Sequence, residues 1–286
     1  MKKLLVLSMI MIQSCFYQVF AQQDTTQADT LRFWKISGMA SLNFSQNSFS
    51  DNWQSGGESA VSGLGLFNIS AKYRNNNSFW ESVLDIKYGL TKLANQNIRK
   101  TDDHFEMMTK YGYKASEKWY YSIMLDFNTQ MTNGYHETNP DSVISKFMAP
   151  AYLLTSVGMD YKPGNTFSLF LSPVTGKITF VLDDTFSDEG RFGVDKGKKV
   201  RFEFGASLSA GFDKEVFKNV SINSKLGLFY NYLDKPQLDV DWAVLINMKI
   251  NQFLSSNLIT RLIYDKDQID QVQFKEILGV GLTYKF

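Results

Sequence analysis

From Trp34 onward the chain alternates apolar and polar side chains with a period of two, and this pattern restricts its fold more than any other feature. Trp34, Ile36, Gly38, Ala40, Leu42 and Phe44 are interleaved with Lys35, Ser37, Ser41, Asn43 and Ser45. Successive side chains of an extended strand point to opposite faces, so such a segment has one greasy and one wet face. The same spelling recurs at 61–73, 80–90, 105–113, 119–129, 151–161, 167–172, 200–212, 220–232, 240–250, 254–264 and 274–286, which gives about twelve strands. After residue 21 no apolar run is long enough for a membrane helix.

The connections alternate in length. Asn75-Asn76-Asn77, 115–118, Pro163-Gly164-Asn165, 213–219 and 251–253 are brief and rich in turn formers. Between them lie the longer stretches 47–59, 94–103, 131–150, 173–199, 233–239 and 266–271. Short turns at one end and long loops at the other are the habit of outer-membrane barrels, although a soluble antiparallel sandwich also alternates. Aromatic placement separates the two. On the apolar parity Trp34, Tyr73, Trp80, Tyr113, Trp119, Tyr161, Phe167, Phe212 and Tyr284 adjoin the short turns. Phe44, Tyr88, Phe105, Phe127, Tyr230, Trp242, Tyr264 and Phe274 adjoin the long loops. Amphipathic rings collect at the two headgroup levels of a membrane, whereas a soluble core does not sort rings by height. The expected fold is therefore an all-β, transmembrane, antiparallel up-and-down β-barrel over residues 34–286. Leu84, Ile123, Leu226 and Val244 fall on its lipid side, and Ser122 and Asn223 on its lumen side. Glu276 lies on the lipid parity, which places it near the upper interface or beside a bulge.

The first residues describe export. Lys2 and Lys3 precede a short apolar stretch, Leu4 to Ile12, and Val19-Phe20-Ala21 fits a cleavage site, so 1–21 is expected to be a signal peptide and 22–33 a flexible periplasmic lead-in. Cys15 raises the alternative of a lipoprotein, but Gln13 is polar where a lipobox wants a small or apolar residue. A chain ending Gly279-Val280-Gly281-Leu282-Thr283-Tyr284-Lys285-Phe286 resembles the sorting signal of outer-membrane proteins, which implies insertion by the barrel-assembly machinery. Outer-membrane lipid is the other expected partner.

The N-terminal half carries a more specific likeness. Trp34, Leu42-Asn43-Phe44-Ser45-Gln46, Asn52-Trp53, Gly56-Gly57, Tyr88-Gly89, Arg99-Lys100-Thr101-Asp102-Asp103, Lys110-Tyr111-Gly112-Tyr113-Lys114, Thr129-Gln130 and Gly134-Tyr135 resemble an uncharacterised family of Bacteroidota outer-membrane β-barrel proteins, the domain of unknown function 3078. The resemblance implies a Gram-negative outer membrane and supplies no catalytic residue.

With 30 Lys and Arg against 29 Asp and Glu, the chain has no basic excess for phosphate contacts, and nucleic acid is not an expected partner. One Cys rules out a disulfide framework and a Cys-cluster metal site. His104 and His136 belong to no metal-binding pair, and no cofactor motif is present. A lipid-modifying barrel enzyme would need a nucleophile and base together on the lipid face, and His104 falls on the lumen parity, so enzymatic activity is not expected. Five acids in 183–195 could suggest a calcium clip, yet they do not match the EF-hand spacing and suit a solvated loop.

The lumen parity holds charges of both signs. Glu81, Asp85, Lys87, Lys110, Glu203 and Lys225 are the candidates for a constriction at mid-height. They serve either a narrow passive channel for small solutes or an ion-pair network that plugs a non-conducting scaffold. Inward Tyr120, Met124, Leu154, Phe229, Leu245 and Ile259 also crowd the space. A twelve-stranded lumen is expected to be too wide for the side chains of one strand to meet across it easily, yet narrow enough for long Lys, Arg and Glu to constrict it. Phe49 and Trp53, in the first long loop, are candidates for a surface contact or for a lid over the mouth.

Overall fold

The computed structural model of the chain describes residues 34–50, 58–94, 96–136, 139, 142–233 and 237–286. The expected signal segment with Cys15, the lead-in 22–33 and Trp53 lie outside the described residues.

Strands β1 (Trp34–Asn47), β2 (Ala60–Arg74), β3 (Ser78–Leu93), β4 (Arg99–Lys114), β5 (Trp119–Thr129), β8 (Ala151–Tyr161), β9 (Phe167–Phe180), β10 (Val200–Phe217), β11 (Val220–Asn231), β12 (Leu238–Lys249), β13 (Leu254–Asp265) and β14 (Ile269–Lys285) form the wall. Each pairs with the next, and β1 pairs with β14, so these twelve close into a single antiparallel barrel. Among the described residues, two further strands, β6 (Gly134–Tyr135) and β7 (Val143–Ser145), make a small hairpin between β5 and β8. Helix α1 (Asp184–Glu189) and a short 3-10 turn lie between β9 and β10.

The twelve expected strands are all present, with some ends displaced. β9 passes through Pro173 to Phe180 instead of stopping at Ser172, so the fourth long loop is 181–199 rather than 173–199. Proline has no N–H for a ladder and is confined to edges and bulges. Here the register shifts around it, with Val157 opposite Val174 and Met159 opposite Leu171. The Ser172 hydroxyl donates into the widened gap, to the carbonyls of Val157 and Val174, both at 2.8 Å. β4 starts at Arg99, six residues earlier than expected, and is carried past a bulge opposite Gly89 and Leu90.

The two faces of the wall follow the alternation. On β5, Tyr121, Ile123 and Leu125 are exposed on the outside, while Ser122 and Met124 are buried on the inside. The outer face of β14 is likewise apolar and exposed at Phe274, Leu278, Val280, Leu282 and Tyr284. Rings adjoin one another at both rims. Trp34 meets Tyr73 and Trp80, at 5.3 and 6.4 Å between centroids, and Trp80 meets Tyr111 at 6.3 Å on the short-turn rim. On the long-loop rim Phe105 meets Phe127 at 6.4 Å. The Trp80 and Trp242 indoles donate to Thr109 and Ser224 hydroxyls at 2.8 and 3.0 Å, so their N–H groups are satisfied. Apolar exposure around a closed ladder, bordered by rings, is the surface of a transmembrane β-barrel. Glu276 stands opposite Thr260, two residues below the row Trp242, Leu262, Phe274, and is thus close to the upper ring.

This parity has a measurable consequence. Ile123→Lys puts a charge among lipid-facing apolar side chains and should cost ~2 to 4 kcal/mol, read as a shift of the urea unfolding midpoint in micelles. Asn223→Lys, on an exposed lumen position of β11, should shift it little. Ser122 separates from Asn223 here, because it is buried beside Gly112 and Phe79 and has no room for a long side chain. Equal destabilisation by Lys at Ile123 and Asn223 would refute the assignment of faces.

Candidate functional site in the lumen

Inward charges are distributed over three levels rather than gathered at one. Nearest the short turns, Glu81 on β3 takes Lys72 at 3.1 Å and Lys162 at 2.8 Å, and Lys110 on β4 meets Asp160 on β8 at 2.6 Å. Lys162 also lies 3.8 Å from the centre of the Phe79 ring and 3.9 Å from Asp160. Three cations thus share two carboxylates; Lys110 and Asp160 are buried and Lys162 nearly so, beside Phe79 and Phe170, while Lys72 stays half exposed.

At mid-height the side chains reach across the barrel. Asp85 and Lys87 pair on β3 at 3.2 Å, and the Asn68 amide donates to Asp85 at 3.0 Å. Lys225 on β11 is paired with Glu106 on β4 and lies 3.9 Å from Asp126 on β5. Around the closed ladder, four strands separate β4 from β11 on one side and six on the other, so these are nearly opposite walls. Lys225, a long side chain, thus meets its partner across the lumen. A second bridge runs from β13: Arg261 grips Asp241 through Nε and Nη2 at 2.9 and 2.6 Å, while Nη1 donates to His104 Nδ1 on β4 at 3.3 Å. With Nδ1 accepting, the His104 proton is on Nε2 and is donated to Glu106 at 3.2 Å. A third, Lys275 on β14 to Asp102 on β4, is 2.8 Å long.

Near the long loops, Lys177 on β9 lies between Asp239 at 2.5 Å and Glu203 at 3.6 Å, and Arg201 joins Glu203 to Asp267 at 3.3 and 2.6 Å. The Asn231 amide donates to Glu203 at 3.0 Å.

Of the sequence candidates, the structure brings Glu81 and Lys110 into the lowest group, Asp85, Lys87 and Lys225 into the middle, and Glu203 into the top. Asp160, Arg261, Asp241, Lys177 and Lys275 complete these groups. All are on the inward alternation of their strands, Lys177 with Thr175 and Thr179 beyond the bulge in β9. Lys177 was hidden by the early end expected for β9, although Thr175-Gly176-Lys177-Ile178-Thr179 does alternate.

Above the wall, the loops 131–150 and 181–199 pack on each other through Ala149, Val181, Phe186 and Val194. Asp183 caps α1, accepting from the Phe186 backbone at 3.2 Å, and pairs with Lys146 at 2.6 Å. The Lys146 hydrogen bond holds its carboxyl below the ordinary aspartate range. Asp184 pairs with Lys199 at 2.6 Å and Glu189 with Arg191 at 2.5 Å. Three of the five acids of this loop, Asp183, Asp184 and Glu189, are thus bound to separate basic neighbours or the helix end rather than to one point. The His136 backbone donates to Ser142 at 2.9 Å, extending the hairpin of β6 and β7. Phe49 is exposed, with its N–H donated to the Ser59 hydroxyl at 2.9 Å.

Residues 44–135 match the model of a family described as a protein of unknown function, DUF3078. No curated protein matches the chain. Among solved structures, the translocator domain of the autotransporter NalP from Neisseria meningitidis is similar at 9% identity, covering 96% of this chain and 93% of that one with a TM-score of 0.40. An outer membrane channel from Pseudomonas putida F1 is similar at 12% identity over 92% and 99% of the two chains, with a TM-score of 0.41.

Proposed function

We propose that the chain is a Gram-negative outer-membrane barrel, delivered by its N-terminal signal and inserted through its last strand, whose lumen is held shut at rest by ion pairs. The observation that carries this reading is the span from Lys225 to Glu106, between nearly opposite walls, reinforced by Arg261 to His104. A long ammonium stem and a guanidinium across mid-height obstruct a solute as long as their partners stay charged. No enzymatic role is proposed: His104 is held between Arg261 and Glu106, away from the lipid face.

Planar-bilayer recording tests this. The purified wild-type barrel should give no discrete openings. The double variant Lys225→Ala, Arg261→Ala removes the two bridges that carry this reading, keeps the third from Lys275 to Asp102, and leaves Glu106, Asp126 and Asp241 in place, so cation-preferring steps should appear. Discrete steps from the wild type would instead support the second reading, a narrow passive channel. That reading is favoured by one observation, the 42% exposure of the Lys225 side chain to space within the lumen.

A further inference from the structure

The wall is not equally closed all the way round. β1 and β14 share six residue pairs, from Met39 opposite Lys285 to Phe44 opposite Val280. Every other junction of the barrel has at least ten. Above Val280, β14 continues from Gly279 up to Ile269, and among the described residues nothing pairs with its β1-facing edge there. Ser45, Gln46 and Asn47 of β1 pair only with β2. Unpaired backbone at membrane depth is expensive in lipid and persists where it borders a polar or occupied opening.

What lies behind this gap differs from the rest of the lumen. Inward Ile277, on the unpaired length of β14, packs on an apolar cluster of Leu64, Leu66 and Ile259, with Leu245 beside them. Outside, Phe44 and Leu278 are exposed to the lipid side. Apolar side chains therefore stand on both faces of β14 beside its unpaired edge, Ile277 within and Leu278 without, with the Glu276 carboxylate next above Leu278 on the outer face. Upward on the same face of β14 come Lys275, whose side chain is partly exposed, and then Gln273, whose amide nitrogen is buried without a partner. These lie two residues apart, about 7 Å on a strand. Cation and donor above, apolar below, near the level of Phe274: this is the order in which an outer-leaflet lipid presents its head and chain.

The geometry points to a lateral portal between β1 and β14 that admits a long-chain anionic amphiphile of the fatty-acid type. Its chain lies against Ile277 and Leu64, and its carboxylate is at Lys275 and Gln273, competing with Asp102. The portal opens sideways and stands whether or not ions pass along the axis.

The test uses the full barrel in phosphatidylcholine vesicles containing tritiated oleate, with photoreactive p-benzoylphenylalanine placed at Ile277 or, as an inward control away from the gap, at Asn223. Labelling should be saturable at Ile277, competed by unlabelled oleate, and near background at Asn223. A crosslinker at Leu245, elsewhere on the same cluster, gives the same readout if the change at Ile277 disturbs assembly. Lys275→Gln should weaken oleate labelling about tenfold, as for loss of one charge-assisted hydrogen bond, and leave labelling by methyl oleate unchanged. Equal labelling at Ile277 and Asn223, or labelling that excess oleate does not reduce, overturns the portal. An equal response of acid and ester to Lys275→Gln overturns the headgroup assignment. Bilayer conductance plays no part in these outcomes, so they are independent of whether the lumen is shut.

Discussion

Removing Phe286, or replacing it with Ser, should reduce the assembled barrel by roughly tenfold or more, because it acts on the weakest junction of the wall. Phe286 and Gly38 exchange both backbone hydrogen bonds, at 2.8 and 3.1 Å, extending a seam of only six ladder pairs. The Phe286 ring lies over Gly38 on the outer face, where a Cβ would collide with it and stand 2.8 Å from the Asn68 carbonyl. The ring also stacks on Tyr284, 5.9 Å between centroids. Deletion removes two hydrogen bonds and this cover together; the Ser variant keeps the backbone and loses the ring. Gly38→Val should mimic the Ser variant from the other side of the contact, since no side chain fits between the ring and β2. Heat-shiftable mobility of membrane-fraction protein on gels reports the assembled form. Normal assembly of both the Phe286 deletion and Gly38→Val would show that the seam does not depend on this contact.

That dependence was half visible in the sequence. Alternation and a terminal aromatic on the apolar parity place Phe286 on the outside of a last strand, and an even number of strands puts that strand beside the first. Its partner Gly38 was visible only as one more position of the apolar parity, because the opposition depends on the stagger between β1 and β14, which no local pattern records. The same holds for strand ends. Period-two spelling marks a strand wherever ladder pairing is regular, and it is misread where a bulge intervenes, as at Pro173 in β9 and beside Gly89 and Leu90 opposite the start of β4.

For the lumen, parity identified which charges face inward but not which meet. Lys225 and Glu106 are 119 positions apart, and their meeting across the barrel depends on circumference and shear together. Neighbours on adjacent strands, such as Lys72 and Glu81, follow from hairpin register and are legible once the turn at Asn75-Asn76-Asn77 is placed. The unequal seam left only a faint trace in the sequence: beyond the last pair, Phe44 with Val280, the outward parity turns polar at Gln46 on β1 and at Glu276 on β14, but neither change says which strand edge loses its partner.

The lowest ion-pair group should dominate stability measurements. Asp160 is fully buried and Lys110 nearly so, 2.6 Å apart, with Lys162 3.9 Å from the same carboxylate. Asp160→Asn keeps the shape and withdraws the charge, leaving Lys110 and Lys162 with Glu81 as their remaining carboxylate. Breaking a buried pair from one side is expected to cost about 3 to 5 kcal/mol, because the partner stays charged and dry. Lys110→Met alone should cost less, since Lys162 remains near Asp160 and the thioether can lie against Phe170, which the ammonium now faces at 5.3 Å. Combining the two should restore much of the loss, because neither charge is then left without the other. Urea unfolding in micelles, followed by tryptophan fluorescence across the four chains of the double-mutant cycle, measures the coupling. A coupling near zero, with Asp160→Asn costing less than about 1 kcal/mol, would mean that lumen water screens this pair as it does a surface one, and the lowest group would then be no part of what keeps the barrel closed.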